Sequence, residues 1–275
     1  MYSRVYVEIT NICNMKCSFC HGTKRMPKMM NFNEFETILQ KIKPHTNYLY
    51  YHLMGEPLTH PDLENFIKLA TQLGFKSVIT TNGTLLKQKG HILINQNVHK
   101  VSISLHSFEE DDDTSHKKYL EDVSNFAKDA NNQGIIVVLR LWNNGFDNGK
   151  NEKAIGFLKE SINGDWTPNI KGLRVRDRLF LEFGDRFSWP DKDAQIQGDN
   201  IFCYGLKDHF GILSNGTVVP CCLDSDGYIN LGNIFKDNID DILNSKRAQS
   251  MVKGFNNRKV SEELCLKCAY AQRFK

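Results

Sequence analysis

This 275-residue chain has no long hydrophobic run and no strong excess of one charge. The longest apolar candidate near the start, residues 5–12, is broken by Glu8, Thr10 and Asn11. That is too short for a signal peptide or a membrane span. Residues 135–139 are apolar but only strand-sized, so no membrane partner is expected and the cytoplasm is the expected location. A net charge of +3 neither demands nor excludes an anionic partner. With no basic extension evident, nucleic acid is not expected as a partner. Repeats and low-complexity stretches are absent. Cysteine is missing from the whole interval between Cys20 and Cys203. The eight cysteines therefore fall into two groups at the two ends of a cysteine-free scaffold. In a reducing compartment such clusters point to metal ligation, not disulfides.

What is present reads as alternating strands and helices. Residues 4–10 alternate as a first strand, and Phe35, Ile38, Leu39 and Ile42 recur at helical spacing. Strands are expected at 48–54, 75–80, 98–105, 135–142 and 172–183. Helices are expected at 63–73, 85–94, 119–131 and 154–162, with Asp62 as a cap and Gly74 and Gly134 as stops. Six strand–helix units in series imply an α/β fold with a parallel sheet and right-handed crossovers. A partial (β/α)6 barrel and a doubly wound open sheet both satisfy that count. Residues 184–199 are polar and read as a linker. Asn215-Gly216 marks a hairpin turn within 210–220, and 239–252 looks helical. Residues 109–113 are an acidic run expected to be a solvated loop.

Cys13, Cys17 and Cys20 form a C-x3-C-x2-C run directly after the first strand. Three thiolates with no fourth at a matching interval suit a cubic iron–sulfur cluster with one iron left open. A zinc knot closed by His21 is the competing reading, but His21 directly follows Cys20, which is poor chelate geometry. The spacing, with Phe19 before the third cysteine, resembles the radical S-adenosylmethionine (radical SAM) superfamily. The resemblance favours the partial (β/α)6 barrel. It also implies that the open iron of a 4Fe–4S cluster chelates S-adenosylmethionine (SAM) and, on one-electron reduction, releases a 5′-deoxyadenosyl radical.

Other strand ends carry matching segments. Met54-Gly55-Glu56-Pro57 is similar to the family's Gly-Gly-Glu-Pro motif, with Met54 in place of the first glycine. The carboxylate and backbone there are expected to accept hydrogen bonds from the SAM ammonium. Thr81-Asn82 and Ser104 are expected to contact the methionine carboxylate and the ribose. His106 stands where many relatives carry an aspartate. The plainer readings are a glycine turn, an Asn-Gly turn and a buried serine strand. Arg140, the only charge in an apolar strand, either pairs with a carboxylate of the cofactor or reaches solvent. Arg174, Arg176 and Arg178 would share one strand face, lining a cavity or facing solvent.

In the second group, Cys203, Gly216 and Cys221 fit C-x9–15-G-x4-C, and Cys265-x2-Cys268 closes the set. This resembles SPASM and twitch auxiliary-cluster domains. The cysteine number fits the one-cluster twitch form, as in the family of 2-deoxy-scyllo-inosamine dehydrogenase. An auxiliary 4Fe–4S cluster on Cys203, Cys221, Cys265 and Cys268 is implied, with Cys222 as an alternative to Cys221 and a four-cysteine zinc site as the alternative metal. The expected division is a radical SAM core over 1–190 and an auxiliary domain over 191–275.

Two activities compete: oxidation or dehydrogenation of a small molecule such as an aminocyclitol, and modification of a peptide. The core begins at residue 13, which counts against an N-terminal leader-peptide-binding domain. A non-catalytic scaffold would not explain an open three-cysteine site beside the strand-end motifs. A one-electron donor such as flavodoxin or ferredoxin is the expected protein partner.

Overall fold

The computed structural model describes residues 1–109 and 112–274. In chain order it forms β1 (Arg4–Val7), α1 (Phe32–Ile42), β2 (Tyr48–Tyr50), α2 (Leu63–Gln72), β3 (Lys76–Thr81), α3 (Leu86–Asn95), β4 (Lys100–Ser104), α4 (Asp113–Asn132) and β5 (Ile136–Asn144). There follow α5 (Lys150–Ser161), β6 (Thr167–Asn169), β7 (Gly172–Arg176), β8 (Leu179–Asp185), β9 (His209–Ile212) and β10 (Thr217–Val219). The chain continues through β11 (Gly232–Asn233), α6 (Ile239–Leu243), α7 (Lys246–Asn256) and α8 (Glu263–Leu266). Two compact units result: Met1–Gly55, Leu69–Lys76 and Phe187–Lys275 form one, and Glu56–Lys68 with Ser77–Arg186 form the other.

The first unit is built around β1. Side chains alternate across a strand, so Val5, Val7 and Ile9 share one face and are fully buried, while Arg4, Tyr6 and Glu8 share the other. β1 pairs in parallel with β2 on one flank (Val5 with Leu49) and with β9 on the other (Arg4 with His209 through Val7 with Ile212). β10 and β11 continue the run antiparallel, in the order β11-β10-β9-β1-β2. Helix α1 starts at a reciprocal capping box: Asn31 Oδ1 accepts the Glu34 N–H, and Glu34 Oε2 accepts the Asn31 N–H.

The second unit holds β3, β4, β5 and β8 in parallel, then β7 and β6 antiparallel. β5 reads as a run of Val and Leu because its middle is buried on both faces. The fold is mixed α/β with an open sheet, the architecture expected of a partial (β/α)6 barrel.

Several boundaries depart from the sequence pattern. The stretch 172–183 is not one strand. It folds back at Asp177-Arg178, where Arg178 takes a left-handed φ of 58°, so β7 runs antiparallel to β8. The three arginines consequently do not line one face. Arg176 Nε donates to Asn131 Oδ1 (2.6 Å) and Arg178 Nη1 to the Gly134 carbonyl (2.7 Å), placing both cations at the carboxyl end of α4. Arg174 pairs with Asp177. Residues 239–252 split into α6 and α7 because Ser245 caps the second helix through Ala248 N–H. Of the acidic run, Asp112 is the N-cap of α4 and accepts the Thr114 and Ser115 N–H groups, while Asp113 is already helical. Glu110 and Asp111 lie outside the described residues.

Candidate functional site

The loop carrying Cys13, Cys17 and Cys20 leaves the chain just beyond β1. Its neck is closed by pairing. Thr10 bridges to Met29, Asn11 Oδ1 accepts the Lys28 N–H (2.7 Å), and Asn11 Nδ2 donates to the Met26 carbonyl (2.9 Å). Cys13 is exposed, and Cys17 and Cys20 are half-buried. The Met15 N–H points at Cys13 Sγ (3.4 Å), and the Cys20 N–H bonds to the Cys17 carbonyl. Phe19 sits half-buried within the loop. His21 does not turn back toward the triplet. Its Nε2 is 2.6 Å from Ser225 Oγ, its ring lies 4.9 Å from Trp189, and burial moves its pKa down. Gly55 ends the strand-2 segment at φ +77°, and a Cβ there would stand 2.3 Å from the Thr10 carbonyl oxygen. Glycine alone permits that approach.

Beneath the loop lies a charged group that the sequence pattern did not reveal. Glu8 is fully buried. Arg25 Nη2 donates to both of its oxygens at 2.7 Å. The Ser214 N–H and hydroxyl add bonds of 3.1 and 2.9 Å, and the Met54 N–H one of 3.3 Å. A buried carboxylate is tolerated when its lone pairs are filled this way. An acid alternating with valines in a strand is equally consistent with a solvated face, so the sequence carries no signal for it.

In the second unit the predicted residues cluster at the carboxyl ends of parallel strands, where ligands bind in such sheets. Glu56 is buried, and both its oxygens are engaged within the protein: Oε2 accepts the Asn82 N–H (2.7 Å) and Oε1 the Leu58 N–H (3.0 Å). Burial pushes its carboxyl up to about 7 against the pull of those bonds and of Thr81. Thr81 Oγ1 accepts the Gly83 N–H, and the Asn82 carbonyl accepts the Tyr119 hydroxyl (2.8 Å). Ser104 pairs in register with Arg140, and Arg140 with Glu182, a half-buried acid not singled out from the sequence. The Arg140 guanidinium stacks on Trp142 at 4.7 Å. His106 Nδ1 lies 3.1 Å from the Arg140 carbonyl and 3.3 Å from the Trp142 N–H, and burial lowers its pKa.

The second cysteine group assembles in the first unit. Gly216, at φ +85°, turns β9 into β10 and delivers Cys221. A Cβ on Gly205 would stand 3.6 Å from Cys203 Sγ and 3.8 Å from Cys221 Cβ, so these two cysteines meet at that glycine. Burial first, then the thiols of Cys222, Cys203, Cys265 and Cys268, pushes the Cys221 thiol well above its ordinary value. Cys265 is raised the same way by burial and then by Cys203 and Cys268, and Cys268 is pushed up to about 11. Half-buried thiols with raised pKa values suit a thiolate-bound metal group, whose positive charge favours the ionised form. Cys222 differs. It packs against the buried cluster of Tyr6, Leu53, Leu213 and Val219. Among the described residues, no three His, Cys, Asp or Glu side chains converge on a point that would hold a single metal ion.

Residues 7–150 match the radical SAM superfamily model. The chain belongs to the radical SAM superfamily. Residues 203–269 match SPASM, an iron–sulfur cluster-binding domain. The matches imply a SAM-binding 4Fe–4S cluster, an auxiliary cluster and SAM for this radical SAM enzyme. A probable GTP 3′,8-cyclase of Methanothermobacter marburgensis is 28% identical over 264 residues, covering 82% of this chain and 85% of the relative. The chain spans only 24% and 26% of the length of two further curated relatives that it matches. Among solved structures, BtrN in complex with AdoMet and 2-DOIA superposes with a TM-score of 0.62 at 16% identity, over 98% of this chain and 93% of that one. Streptococcus suis SuiB bound to precursor peptide SuiA gives 0.64 at 17% identity, over 99% and 70%. At these identities the likeness is one of fold. No helix among the described residues of this radical SAM protein is long and apolar enough to cross a membrane.

Proposed function

We propose that Cys13, Cys17 and Cys20 hold the SAM-binding cluster, that Cys203, Cys221, Cys265 and Cys268 hold the auxiliary one, and that the enzyme oxidises its substrate by dehydrogenation. The division is a radical SAM core over 1–190 and an auxiliary domain over 191–275. When bound, these groups supply the electron that splits SAM into methionine and a 5′-deoxyadenosyl radical, and a sink for the substrate's second electron. The chain's own residues orient and enclose. Gly55 brings the strand-2 turn against the loop neck, and the backbone carbonyls of the 54–57 segment are acceptors for the SAM ammonium. Phe19, Thr81, Asn82, Ser104, His106 and Arg140 are the remaining candidate contacts to SAM. A one-electron donor of the flavodoxin or ferredoxin type completes the cycle.

The observation that supports this reading is that Cys203 and Cys221 meet at Gly205 while Cys222 packs away on the Tyr6, Leu53, Leu213 and Val219 cluster. A second metal group of that kind suits a reaction with a second electron to remove. Peptide modification is the second reading, favoured by the fold likeness to SuiB in its peptide complex. The deciding experiment is anaerobic reconstitution with iron, sulfide, SAM and dithionite. Formation of 5′-deoxyadenosine is expected, and its absence from protein with full iron content sinks the assignment. Deuterium transfer into deoxyadenosine from labelled aminocyclitols or peptides then separates the two readings.

A further inference from the structure

The two cysteine-bearing segments of the first unit are fastened to each other through residues 21–25. The limb that leaves the N-terminal loop, residues 21–25, lies on Ser225 and Asp226, which follow Cys221-Cys222 by three and four positions. Asp226 Oδ1 accepts both the Thr23 hydroxyl (2.6 Å) and the Lys24 N–H (2.8 Å). The Ser225 carbonyl accepts Arg25 Nε (2.7 Å) and the Thr23 hydroxyl (3.3 Å), and Ser225 Oγ meets His21 Nε2 at 2.6 Å. Bonds to an ionised acceptor are among the stronger ones. The fastening is itself rigidly built. The buried Asp224 takes the Tyr228 and Ile229 N–H groups (2.9 and 2.8 Å), closing the turn that presents Ser225 and Asp226. None of these residues belongs to either cysteine motif. Whatever orders 221–226 is thereby felt at 21–25, one residue beyond Cys20.

We propose that Ser225 and Asp226 are positioning residues for the N-terminal cysteine loop, a clasp through which the state of the C-terminal cysteine site sets how tightly SAM is held. The inference rests on the cluster assignment made above. By linkage, SAM at the first site favours a loaded second site by the same factor.

Two measurements test the clasp. In the apoprotein, the Lys24 amide should exchange slowly with solvent and should speed up in Asp226→Ala. The Met30 amide, which bonds to the Ile9 carbonyl, should not change. In reconstituted protein, SAM affinity is read from the change SAM makes in the electron paramagnetic resonance spectrum of the reduced sample. Asp226→Ala should weaken SAM binding about fivefold or more with iron content unchanged. Asp226→Asn, whose amide oxygen still accepts from Thr23 and Lys24, should recover most of that loss. Cys265→Ala/Cys268→Ala should weaken SAM binding in the same sense, and adding Asp226→Ala should cause no further loss. Wild-type affinity in Asp226→Ala, losses that multiply in the combined variant, or an unchanged Lys24 exchange rate would each overturn the proposal. If Asp226→Ala fails to keep its iron, Thr23→Val, which removes one donor, should shift SAM affinity in the same direction, and no shift refutes the clasp. Failure of the wild type to bind SAM at all would instead sink the cluster assignment, while the exchange measurement still decides the clasp.

Discussion

Glu56 is held in a place that discourages its charge. Its carboxyl is raised to about 7 chiefly by burial, although two backbone N–H groups and Thr81 favour the ionised form. Its folded-state value lies above the unfolded one, so its contribution to stability is complete below about 4.5 and is lost as pH rises through about 7. Relative to Glu56→Gln, apoprotein stability should therefore fall by up to roughly 3 kcal/mol between those limits. Denaturant unfolding at several pH values checks this, and parallel curves for the two proteins would refute it. Gly55→Ala should cost at least about 1–3 kcal/mol, since it places a Cβ against the Thr10 carbonyl at a positive φ. It should also abolish SAM binding, as seen by spectroscopic titration. Both residues were legible because a glycine and an acid in fixed order after a strand form a motif. Glu8 was not, because the partners that justify its burial, Arg25 and Ser214, are distant in sequence.

At the level of elements, periodicity found the alternating strands and helices but missed where the chain reverses. Nothing in the spacing of 172–183 distinguishes a long strand from a tight antiparallel pair, and the decision falls to Arg176 and Arg178 reaching the end of α4. The cysteine ambiguity is an element question too. Both Cys221 and Cys222 follow β10; the Gly216 spacing and the meeting with Cys203 at Gly205 point to Cys221, while Cys222 packs on the Tyr6 cluster. Cys222→Ser should keep the iron and sulfide content of the wild type, whereas Cys221→Ser should lose that of the auxiliary site. Loss in Cys222→Ser with Cys221→Ser intact would reverse the assignment. The Arg25–Glu8 pair joins β1, the loop limb and the β9–β10 turn. Arg25→Met strands a fully buried charge and should destabilise the protein by about 3–5 kcal/mol. Adding Glu8→Gln should restore part of that, because the amide oxygen still accepts from Ser214. Unfolding of the two variants side by side is the measurement.

Across the molecule, the two cysteine groups at opposite ends of the sequence come to lie in one compact unit. Their separation by a cysteine-free interval suggests an appended domain, yet the hairpin of the second group begins with β9, hydrogen-bonded along β1. Strand pairing between residues some two hundred positions apart leaves no mark in composition or spacing. It also means the auxiliary part is woven into the scaffold that positions the first loop.

This weave bears on how the protein can be dissected. Cutting the chain after residue 190 would strip β9 from β1 and leave a row of unsatisfied amide and carbonyl groups along a valine-rich ribbon. Such bare flanks recruit other chains. The truncated product should self-associate instead of surviving as a lone catalytic fragment, and its size in solution is the quantity to watch.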